Sequence, residues 1–395
     1  MHDTAPFDVD VAVVGGGPAG VTAAIALADT GARTALVARR LPYADNRTTA
    51  LLGGSVDLLT RLDVWRRCED RAAPLQTMRL VDDTGRLIRA PEVRFEASEI
   101  GRGEFGFNVE NRVLMEALEA RAGELAMLTR IDDEASAVAP DDTGATIVTA
   151  QGRTVRASLI VGADGRHSLC REAAGIGVTR RSLPQSALTL NIRHSRPHHS
   201  ISTEFHTAQG PCVFVPLPGD RCSVVWVAAP REAERLMALD DAALAAAVER
   251  QSHHILGRIT VDAGRHLFPL AIERPSRFAD NRVVLIGEAA HVLPPIGAQG
   301  LNMGLRDAAD IAGLVGSAMI AMEDVGAPAL LQRFARLRRG DVMSRSLVID
   351  IANRSLLSDL LPMQAARAFG LEAIGAIGPL RRLAMREGLS PAWRS

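Results

Sequence analysis

Lysine is absent from this 395-residue sequence, so all 45 basic residues are arginines. A chain without lysine cannot form a lysine Schiff base, and it cannot supply the lysine of a nucleoside-triphosphate P-loop. The basic residues are balanced by 46 acidic ones, which leaves a formal net charge of −1. Because this balance creates no general attraction for nucleic acid, we predict no nucleic-acid partner.

Cysteines and long apolar runs are scarce as well. The four cysteines show neither C-x-x-C pairs nor the spacing of metal ligands, which predicts reduced, buried thiols and no metal site. No apolar run reaches the roughly 18 residues of a membrane-spanning helix. The N-terminus lacks the basic and cleavage regions of a signal peptide. Together these absences predict a cytoplasmic protein.

A glycine-rich turn follows the first apolar run. The segment "DVDVAVVGGGPAGVTAAIALADTGARTALVARR" is typical of a strand, a tight turn, a helix and a second strand. Gly15 permits the turn, Gly17 lets the backbone approach a pyrophosphate, and Gly20 lets the helix pack closely on the strand. The helix N-terminus, which includes Ala19, offers free N–H groups to phosphates. We therefore predict a dinucleotide site rather than a glycine turn without a ligand.

The end of the second strand departs from the dinucleotide-binding pattern. An acidic residue that binds the adenosine ribose is expected there, but Ala38 holds the position and Arg39 follows it. Either the ribose is held in another way, or the affinity for the dinucleotide is low. Arg39 would cover the adenine, reach a phosphate or be a solvated surface residue, and an arginine here also suits NADP. The first motif alone leaves the nucleotide open.

Two later apolar runs also end in glycine-containing turns. One precedes Asp164 and a helix that we expect to start near Ser168, and the other precedes the loop "GEAAHVLPPIGAQGLN" and a long helix. The carboxyl ends of strands in an open α/β sheet gather at one edge, where ligands bind. A buried turn would explain the glycines of this loop but not the carboxylate of Glu288. The three motifs together predict one ligand site.

This trio of motifs resembles the FAD-dependent aromatic hydroxylases related to p-hydroxybenzoate hydroxylase. The similarity extends over nearly the whole chain and is closest to the ubiquinone-biosynthesis branch, in the segments "ADNRTTALLGGSVDLLTRLDVW", "FGFNVENRVLMEAL" and "PPIGAQGLNMGLRDAAD" and in residues 353–389. It implies an α/β fold with an α+β insert: a Rossmann-like FAD-binding domain, an antiparallel β-sheet substrate domain and a C-terminal helical region.

The resemblance implies that FAD occupies the three strand ends. Glu288 takes the place of the usual aspartate at the ribityl chain, one methylene longer. Arg47 would lie near the pyrophosphate and flavin, and Arg112 would reach the FAD phosphates from a helix start. Asp164 would serve FAD and the approach of NAD(P)H, unless it only caps a helix.

The resemblance also places the uncharged stretch that begins at Pro295 against the isoalloxazine ring. Backbone N–H groups of Gly300, Leu301 and Asn302 would face its pyrimidine edge. The positive end of the helix that begins near Leu301 would stabilise the negative charge of the reduced flavin.

The chemistry that the resemblance implies needs no protein nucleophile. NAD(P)H reduces FAD, O₂ adds to form a flavin C4a-hydroperoxide, and an electron-rich phenol ring is hydroxylated. A base would help by forming the phenolate, and His206 and His291 are the titratable candidates, although a structural role is the stronger alternative for each. The single tyrosine, Tyr43, argues against a tyrosine relay. Histidine pairs at 198–199 and 253–254, in a predicted turn and a polar helix, lack metal-ligand spacing.

Changes of pattern along the chain predict three parts. Residues 1–75, 105–180 and 274–325 form the discontinuous FAD-binding domain, residues 76–104 and 181–273 the β-sheet substrate domain, and residues 326–395 the C-terminal helices. Within the second part, "DDTG" predicts a hairpin turn.

The start of the C-terminal part is amphipathic, with an apolar face of Leu330, Leu331, Phe334 and Leu337 and many arginines elsewhere. Such a helix either lies on an anionic membrane or packs on the flavin domain with its arginines solvated.

The function predicted from these features is hydroxylation of a prenylated phenol or quinone precursor in ubiquinone biosynthesis. The expected partners are this lipid-tailed substrate and O₂. Contact with the inner face of the cytoplasmic membrane, or with a quinone-biosynthesis complex, is a further expectation. Two alternatives stay open: a hydroxylase of another aromatic metabolite, and a flavin-poor scaffold, which only Ala38 supports.

Overall fold

The computed structural model describes residues 7–40, 46–295, 297–357 and 361–389. Its strands are β1 (Phe7–Val14), β2 (Thr34–Val37), β3 (Thr48–Leu52), β4 (Ala73–Pro74), β5 (Thr77–Asp82), β6 (Val93–Glu96), β7 (Gly106–Glu110), β8 (Leu128–Ile131), β9 (Ala135–Pro140), β10 (Ala145–Thr149), β11 (Thr154–Gly162), β12 (Val178–His194), β13 (Ile201–Thr207), β14 (Gly210–Leu217), β15 (Arg221–Ala228), β16 (Ile259–Pro275), β17 (Ala279–Asp280) and β18 (Val283–Leu285). Its α-helices are α1 (Pro18–Asp29), α2 (Gly53–Arg61), α3 (Asn111–Ala122), α4 (Leu169–Ala173), α5 (Pro230–Met237), α6 (Asp241–Gln251), α7 (Gln299–Ile320), α8 (Pro328–Leu357), α9 (Leu361–Ala376) and α10 (Gly378–Leu389).

A mainly parallel sheet carries all three motifs. Its order is β17-β18-β11-β1-β2-β8, with the β9–β10 hairpin attached to β11. Helices α1 and α7 pack together over it, and β1 and β18 are apolar runs because the sheet is covered on both faces. In register, Val14 lies opposite Gly162, which lies opposite Leu285. The three strand ends that the sequence singles out therefore do gather at one edge.

An antiparallel sheet forms the second layer, in the order β16-β12-β15-β14-β13-β5-β6. All neighbours in it are antiparallel except β13 and β5. A small third sheet, β3-β7-β4, contributes β3 and Asn108 of β7 to the cavity described below. The division of the chain into domains at the predicted boundaries stays a prediction.

Two local predictions about this second layer are wrong in detail. The turn "DDTG" does not close a tight hairpin, because ten residues, 83–92, separate β5 from β6. The carboxylate of Asp82 instead accepts hydrogen bonds from the backbone N–H groups of Thr84 (3.1 Å) and Ala90 (2.9 Å), which organises a longer loop. The histidine pair at 253–254 lies in a left-handed turn after α6, not within a helix.

The amphipathic segment of the C-terminal part is α8. Leu330, Leu331 and Phe334 of the predicted apolar face are buried in the main core cluster, as the second of the two sequence interpretations has it, whereas Leu337 is 38% exposed. Its arginines are not all solvated, however, because Arg338 is completely buried.

Arg338 is the centre of a buried ion network between α7 and α8. Its Nη1 donates to Asp310 (2.9 Å), its Nη2 donates to Asp341 (2.9 Å), and its Nε lies 2.5 Å from an Asp307 carboxylate oxygen. Burial by itself would raise the pKa of Asp307, but Arg338 and His291 hold that pKa below its usual range. Ions removed from water are tolerated only when partners compensate them, so the network favours one packing of the two helices.

Replacing Arg338 with methionine is expected to lower the free energy of unfolding by about 3–5 kcal/mol, since it removes the cation between carboxylates that stay buried. Thermal and denaturant unfolding would measure the change. Arg339→Met, at the exposed neighbouring position, is the matched control and should change stability little. Equal losses in both variants would contradict a special role for the network.

The network should also make stability depend on pH. Burial opposes ionisation of Asp341, but Arg306 and Arg338 hold its pKa below the usual range. A lowered carboxylate pKa adds stability above the ordinary value of about 4, and this stability is lost as the pH falls. The difference in Tm between the wild type and Asp341→Asn should therefore stay nearly constant from pH 7 to pH 5 and narrow as the pH falls below about 4. A difference that stays constant down to about pH 2 would contradict this, and Asp142→Asn, at an exposed position, is the control.

Candidate active site

A cavity of about 640 Å³ lies between the antiparallel sheet, β3, the loop after β18 and α10. Its size is that of cavities that hold one cofactor fragment or drug-sized molecule. Two kinds of wall meet in it. One is a polar cluster, and the other is apolar and includes Met385 of α10.

The polar wall is hydrogen-bonded within itself. The Asn191 amide donates to the backbone oxygen of Asn46 (2.7 Å), and Thr48 donates to Ser223 (2.8 Å). The Asn108 amide also donates to Ser223 (3.2 Å), so the side chains are held in place by one another. The apolar wall consists of Leu52, Met78, Phe95, Phe105 and Met385, which pack in one cluster.

The glycine turn has the geometry that a pyrophosphate needs. Gly15 has a φ of +119°, and a Cβ there would lie 2.2 Å from the Ala163 carbonyl oxygen. A Cβ on Gly20 would lie 2.1 Å from the Gly15 oxygen, whereas a Cβ on Gly17 would meet no atom within 4 Å. Gly15 and Gly20 thus permit close packing, and open space remains only at Gly17, beside the N-terminus of α1. The residues present therefore fit a dinucleotide phosphate.

Ala19, in the first turn of α1, packs against the third motif. A Cβ added to Gly287 or to Gly304 would come within 3.3 Å or 3.0 Å of the Ala19 Cβ. The first turn of α1 therefore lies directly against the third motif, which explains why small residues are needed on both sides.

Four of the predicted cofactor residues in the loop after β18 line the cavity: Glu288, Pro295, Gly300 and Leu301. Helix α7 starts at Gln299, two residues earlier than expected, and its N-cap residue Ala298 has a left-handed φ of 54°. The positive end of a helix of 22 residues thus opens on the cavity.

Asn302 is buried and does not line the cavity. Its carboxamide oxygen accepts hydrogen bonds from the Leu52 backbone N–H (2.9 Å) and the Ser55 hydroxyl (2.7 Å). Its amide donates to the backbone oxygens of Ala50 (2.8 Å) and Ala298 (2.6 Å). The side chain therefore joins α7 to β3 and α2, and a contact of its backbone N–H with a cofactor stays a prediction.

The ion network of α8 holds both ends of the loop after β18. At one end, Asp307 accepts from the backbone N–H of Gly287 (2.9 Å), and the His291 Nε2 lies 2.7 Å from the same oxygen. At the other end, Arg345 donates to the Gln299 carboxamide oxygen (2.8 Å), while the Gln299 amide donates to Gly297 (2.9 Å).

The histidines proposed as bases both lie off the cavity. His291 is buried against Asp307, and His206 lies 2.8 Å from the Glu204 carboxylate. The structure instead places His266 of β16 in the cavity wall, stacked on Phe268 with ring centroids 6.1 Å apart. Alternation along β16 could have pointed to this residue, but the sequence interpretation passed over it. Tyr43 lies outside the described residues.

Of the three arginines predicted to contact FAD, one lines the cavity and two do not. Arg47 lines the cavity and lies 5.7 Å from the Phe268 ring centroid. Arg39 forms an exposed pair with Glu134 (2.7 Å), and Arg112 lies 3.4 Å from Glu110. Neither of these two reaches the cavity, so their contacts with FAD stay predictions.

Two further predicted residues have clear structural partners. Ala38 is buried, and its carbonyl oxygen accepts a hydrogen bond from Arg130, which also pairs with Glu119 (3.2 Å). Asp164 accepts from Ser168 (2.5 Å) and from the backbone N–H of Cys170 (3.0 Å). Asp164 therefore supports the start of α4, whose N-cap residue is Ser168, and its contact with FAD stays a prediction.

Comparison with known proteins decides the family. A family profile described as an FAD binding domain matches residues 8–340. The chain belongs to the FAD-dependent monooxygenases. This monooxygenase is 34% identical over 387 residues to ubiquinone hydroxylase UbiL of Rhodospirillum rubrum, covering 96% of this chain and 89% of the relative. It is 28% identical to 3-demethoxyubiquinol 3-hydroxylase of Escherichia coli, covering 96% and 98%.

Solved structures confirm the fold. The p-nitrophenol 4-monooxygenase PnpA of Pseudomonas putida superimposes with a TM-score of 0.78 at 19% identity, over 97% of this chain and 98% of that one. The fold is the mixed α/β fold of the p-hydroxybenzoate hydroxylase-like monooxygenases, as the motifs predict. FAD, when bound, supplies the redox chemistry and the activation of O₂. Within the described residues, no helix is long and apolar enough to cross a membrane and no side-chain cluster suits a metal ion.

Alanine substitutions at Gly17 and at Gly20 should have different effects, the first on the affinity for FAD and the second on the stability of the fold. Gly17→Ala adds a methyl group in open space, so Tm should be preserved while the Kd for FAD rises at least about tenfold, since the methyl group blocks the approach of the phosphate. Flavin fluorescence titration and thermal unfolding would measure the two effects.

Gly20→Ala is the matched control, because its methyl group would strike the Gly15 oxygen. This variant should lose about 1–3 kcal/mol of stability. Normal FAD affinity in Gly17→Ala would contradict the assignment of the pyrophosphate to this turn.

Proposed function

We propose that this monooxygenase hydroxylates the aromatic ring of a prenylated phenol or quinone precursor in ubiquinone biosynthesis, with NAD(P)H and O₂ as co-substrates. The observation that carries the proposal is the two-sided cavity, with a polar wall around Asn191 and Ser223 and an apolar wall around Phe105 and Met385. A prenylated phenol has the same two sides, a polar ring and an apolar tail. The relatives named ubiquinone hydroxylases support the same substrate class.

Several residues of the chain would carry out the binding of FAD in this proposal. Gly17 and the N-terminus of α1 would hold the pyrophosphate, with Arg47 near the flavin. Glu288 would bind the ribityl chain. The N-terminus of α7, presented by Gly300 and Leu301, would stabilise negative charge on the flavin ring of bound FAD. Residues 289 to 302 contain no arginine, aspartate or glutamate, so no carboxylate of the loop itself would compete with the flavin for this helix end.

His266 is the residue that we assign to the substrate hydroxyl. A phenol is more reactive when its proton is withdrawn, and His266 is the imidazole that the described cavity wall contains. Stacking on Phe268 fixes its ring at the cavity surface. The apolar wall would exclude water from its side of the cavity, which would limit the unproductive loss of activated oxygen as hydrogen peroxide.

Purified holoenzyme should convert a short-tailed prenylphenol to a product heavier by one oxygen atom, as measured by mass spectrometry, with consumption of NAD(P)H. Deletion of the gene should cause a quinone precursor to accumulate. Product formation from tail-less phenols alone, together with a normal quinone content in the deletion strain, would instead favour a hydroxylase of another aromatic metabolite. A chain that takes up no FAD would favour the scaffold.

Replacing His266 with asparagine should lower kcat/KM for the phenol by about 10²–10⁴-fold, the usual contribution of a positioned base, and flatten its dependence on pH. The Kd for FAD should not change. His206→Asn, off the cavity, is the control and should keep wild-type kinetics. An unchanged pH profile in His266→Asn would remove this residue from the mechanism.

A further inference from the structure

The cavity cannot enclose a long lipid tail. Its volume of about 640 Å³ suits one drug-sized molecule, so a ring substituted with a polyprenyl chain must extend beyond it. This step rests on the proposed substrate class. The place where the tail leaves the protein should be apolar, and it should be continuous with the apolar wall of the cavity.

Helix α10 provides such a place. Met385 is buried in the apolar wall, while its neighbour Ala384 both lines the cavity and is exposed to solvent, so the cavity reaches the surface along this helix. Arg381 holds the helix down, because its Nε donates to Glu99 (2.5 Å) and its guanidinium lies 4.9 Å from the Phe95 ring centroid. The inner face of α10 therefore packs against the rest of the protein.

The outer face of α10 is apolar and solvent-exposed. Leu380 and Leu383, three residues apart and on one side of the helix, are 39% and 53% exposed, and Ile377 just before the helix is 51% exposed. Arg382 and Arg386, four residues apart, are exposed beside this face. The helix carries three arginines and one glutamate. Exposed apolar side chains next to arginines are the pattern of helices that lie in the interface of an anionic membrane.

The α8 segment, which the sequence suggested for this purpose, cannot use its apolar face in the same way. Leu330, Leu331 and Phe334 are buried in the protein core, and Arg338 and Arg345 are engaged by carboxylates. Leu337 of α8 is exposed, but the cavity opens beside the exposed leucines of α10 and not beside the described residues of α8.

We propose that the outer face of α10, formed by Ile377, Leu380 and Leu383 with Arg382 and Arg386 beside them, docks on an anionic lipid bilayer. The lipid tail of the substrate then passes from the bilayer along Ala384 into the apolar wall of the cavity. The apolar side chains enter the bilayer interface, and the two arginines face anionic headgroups.

Sedimentation of the holoenzyme with vesicles tests the docking without any substrate. Vesicles of phosphatidylcholine mixed with phosphatidylglycerol should bind the wild type, and pure phosphatidylcholine vesicles should bind it more weakly. The double variant Leu380→Asp/Leu383→Asp should bind the mixed vesicles at least about tenfold more weakly. Arg382→Gln/Arg386→Gln should lose about tenfold on the mixed vesicles and little on the pure ones.

The matched control is Ile320→Asp/Met322→Asp, at two apolar side chains that are 88% and 93% exposed at and just after the end of α7. This variant should bind vesicles like the wild type. Equal losses in the control and α10 variants, or no vesicle binding by the wild type, would overturn the proposal. The second result would favour delivery of the tail by a lipid-carrying protein.

Enzyme kinetics separate this proposal from the proposed function. The α10 variants should keep the wild-type FAD content and the wild-type rate with a short-tailed phenol, while KM rises for a long-tailed substrate presented in mixed vesicles. Unchanged KM for that substrate would overturn the route along Ala384. Vesicle binding by a protein that hydroxylates no prenylated phenol would refute the proposed substrate, but it would leave the membrane surface supported.

Discussion

Charge buried between α7 and α8 is the constraint on which the candidate active site depends. Arg338 has no exposed surface and is surrounded by Asp307, Asp310 and Asp341. Each of these ions would be costly to bury alone, so the two helices have little freedom to shift against each other. Asp307 also bonds to Gly287 and His291, and Arg345, which pairs with Asp341, donates to Gln299. A network that stabilises the fold thus also determines the shape of the loop that lines the cavity.

The cavity combines properties that no single element could provide. The parallel sheet supplies strand ends and a helix N-terminus, both suited to phosphate and to a reduced flavin. The antiparallel sheet supplies a flat wall in which alternate side chains face the same way, among them Thr189 and Asn191 of β12. Helix α10, about 80 residues beyond the end of the flavin loop in sequence, closes the apolar side. Substrate selection and cofactor binding are therefore built on separate elements that meet at one space.

Predictions that rested on backbone geometry were confirmed. The turn at Gly15 requires a positive φ, and Gly20 allows close contact with its carbonyl oxygen; both demands can be recognised from the spacing of glycines. Predictions about the direction of a side chain were less successful, because spacing in the sequence does not determine which group the side chain bonds to. His206 and His291 were the candidate bases, yet both imidazoles bond to carboxylates of the protein, those of Glu204 and Asp307. A polar residue in a motif can satisfy its hydrogen bonds with a ligand or with the protein, and its spacing is the same in either case.

The sequence by itself determined the family, the fold class and the position of the dinucleotide turn, because each depends on residues close together in the chain or on long segments of similarity. Only the tertiary structure decided which side chains share the cavity. His266, Glu288 and Met385 come from different elements, and their meeting depends on sheet order and helix packing. The inward packing of α8 and the exposure of α10 were decided in the same way. Both helices have apolar and basic residues, and burial of an apolar face depends on what lies opposite it.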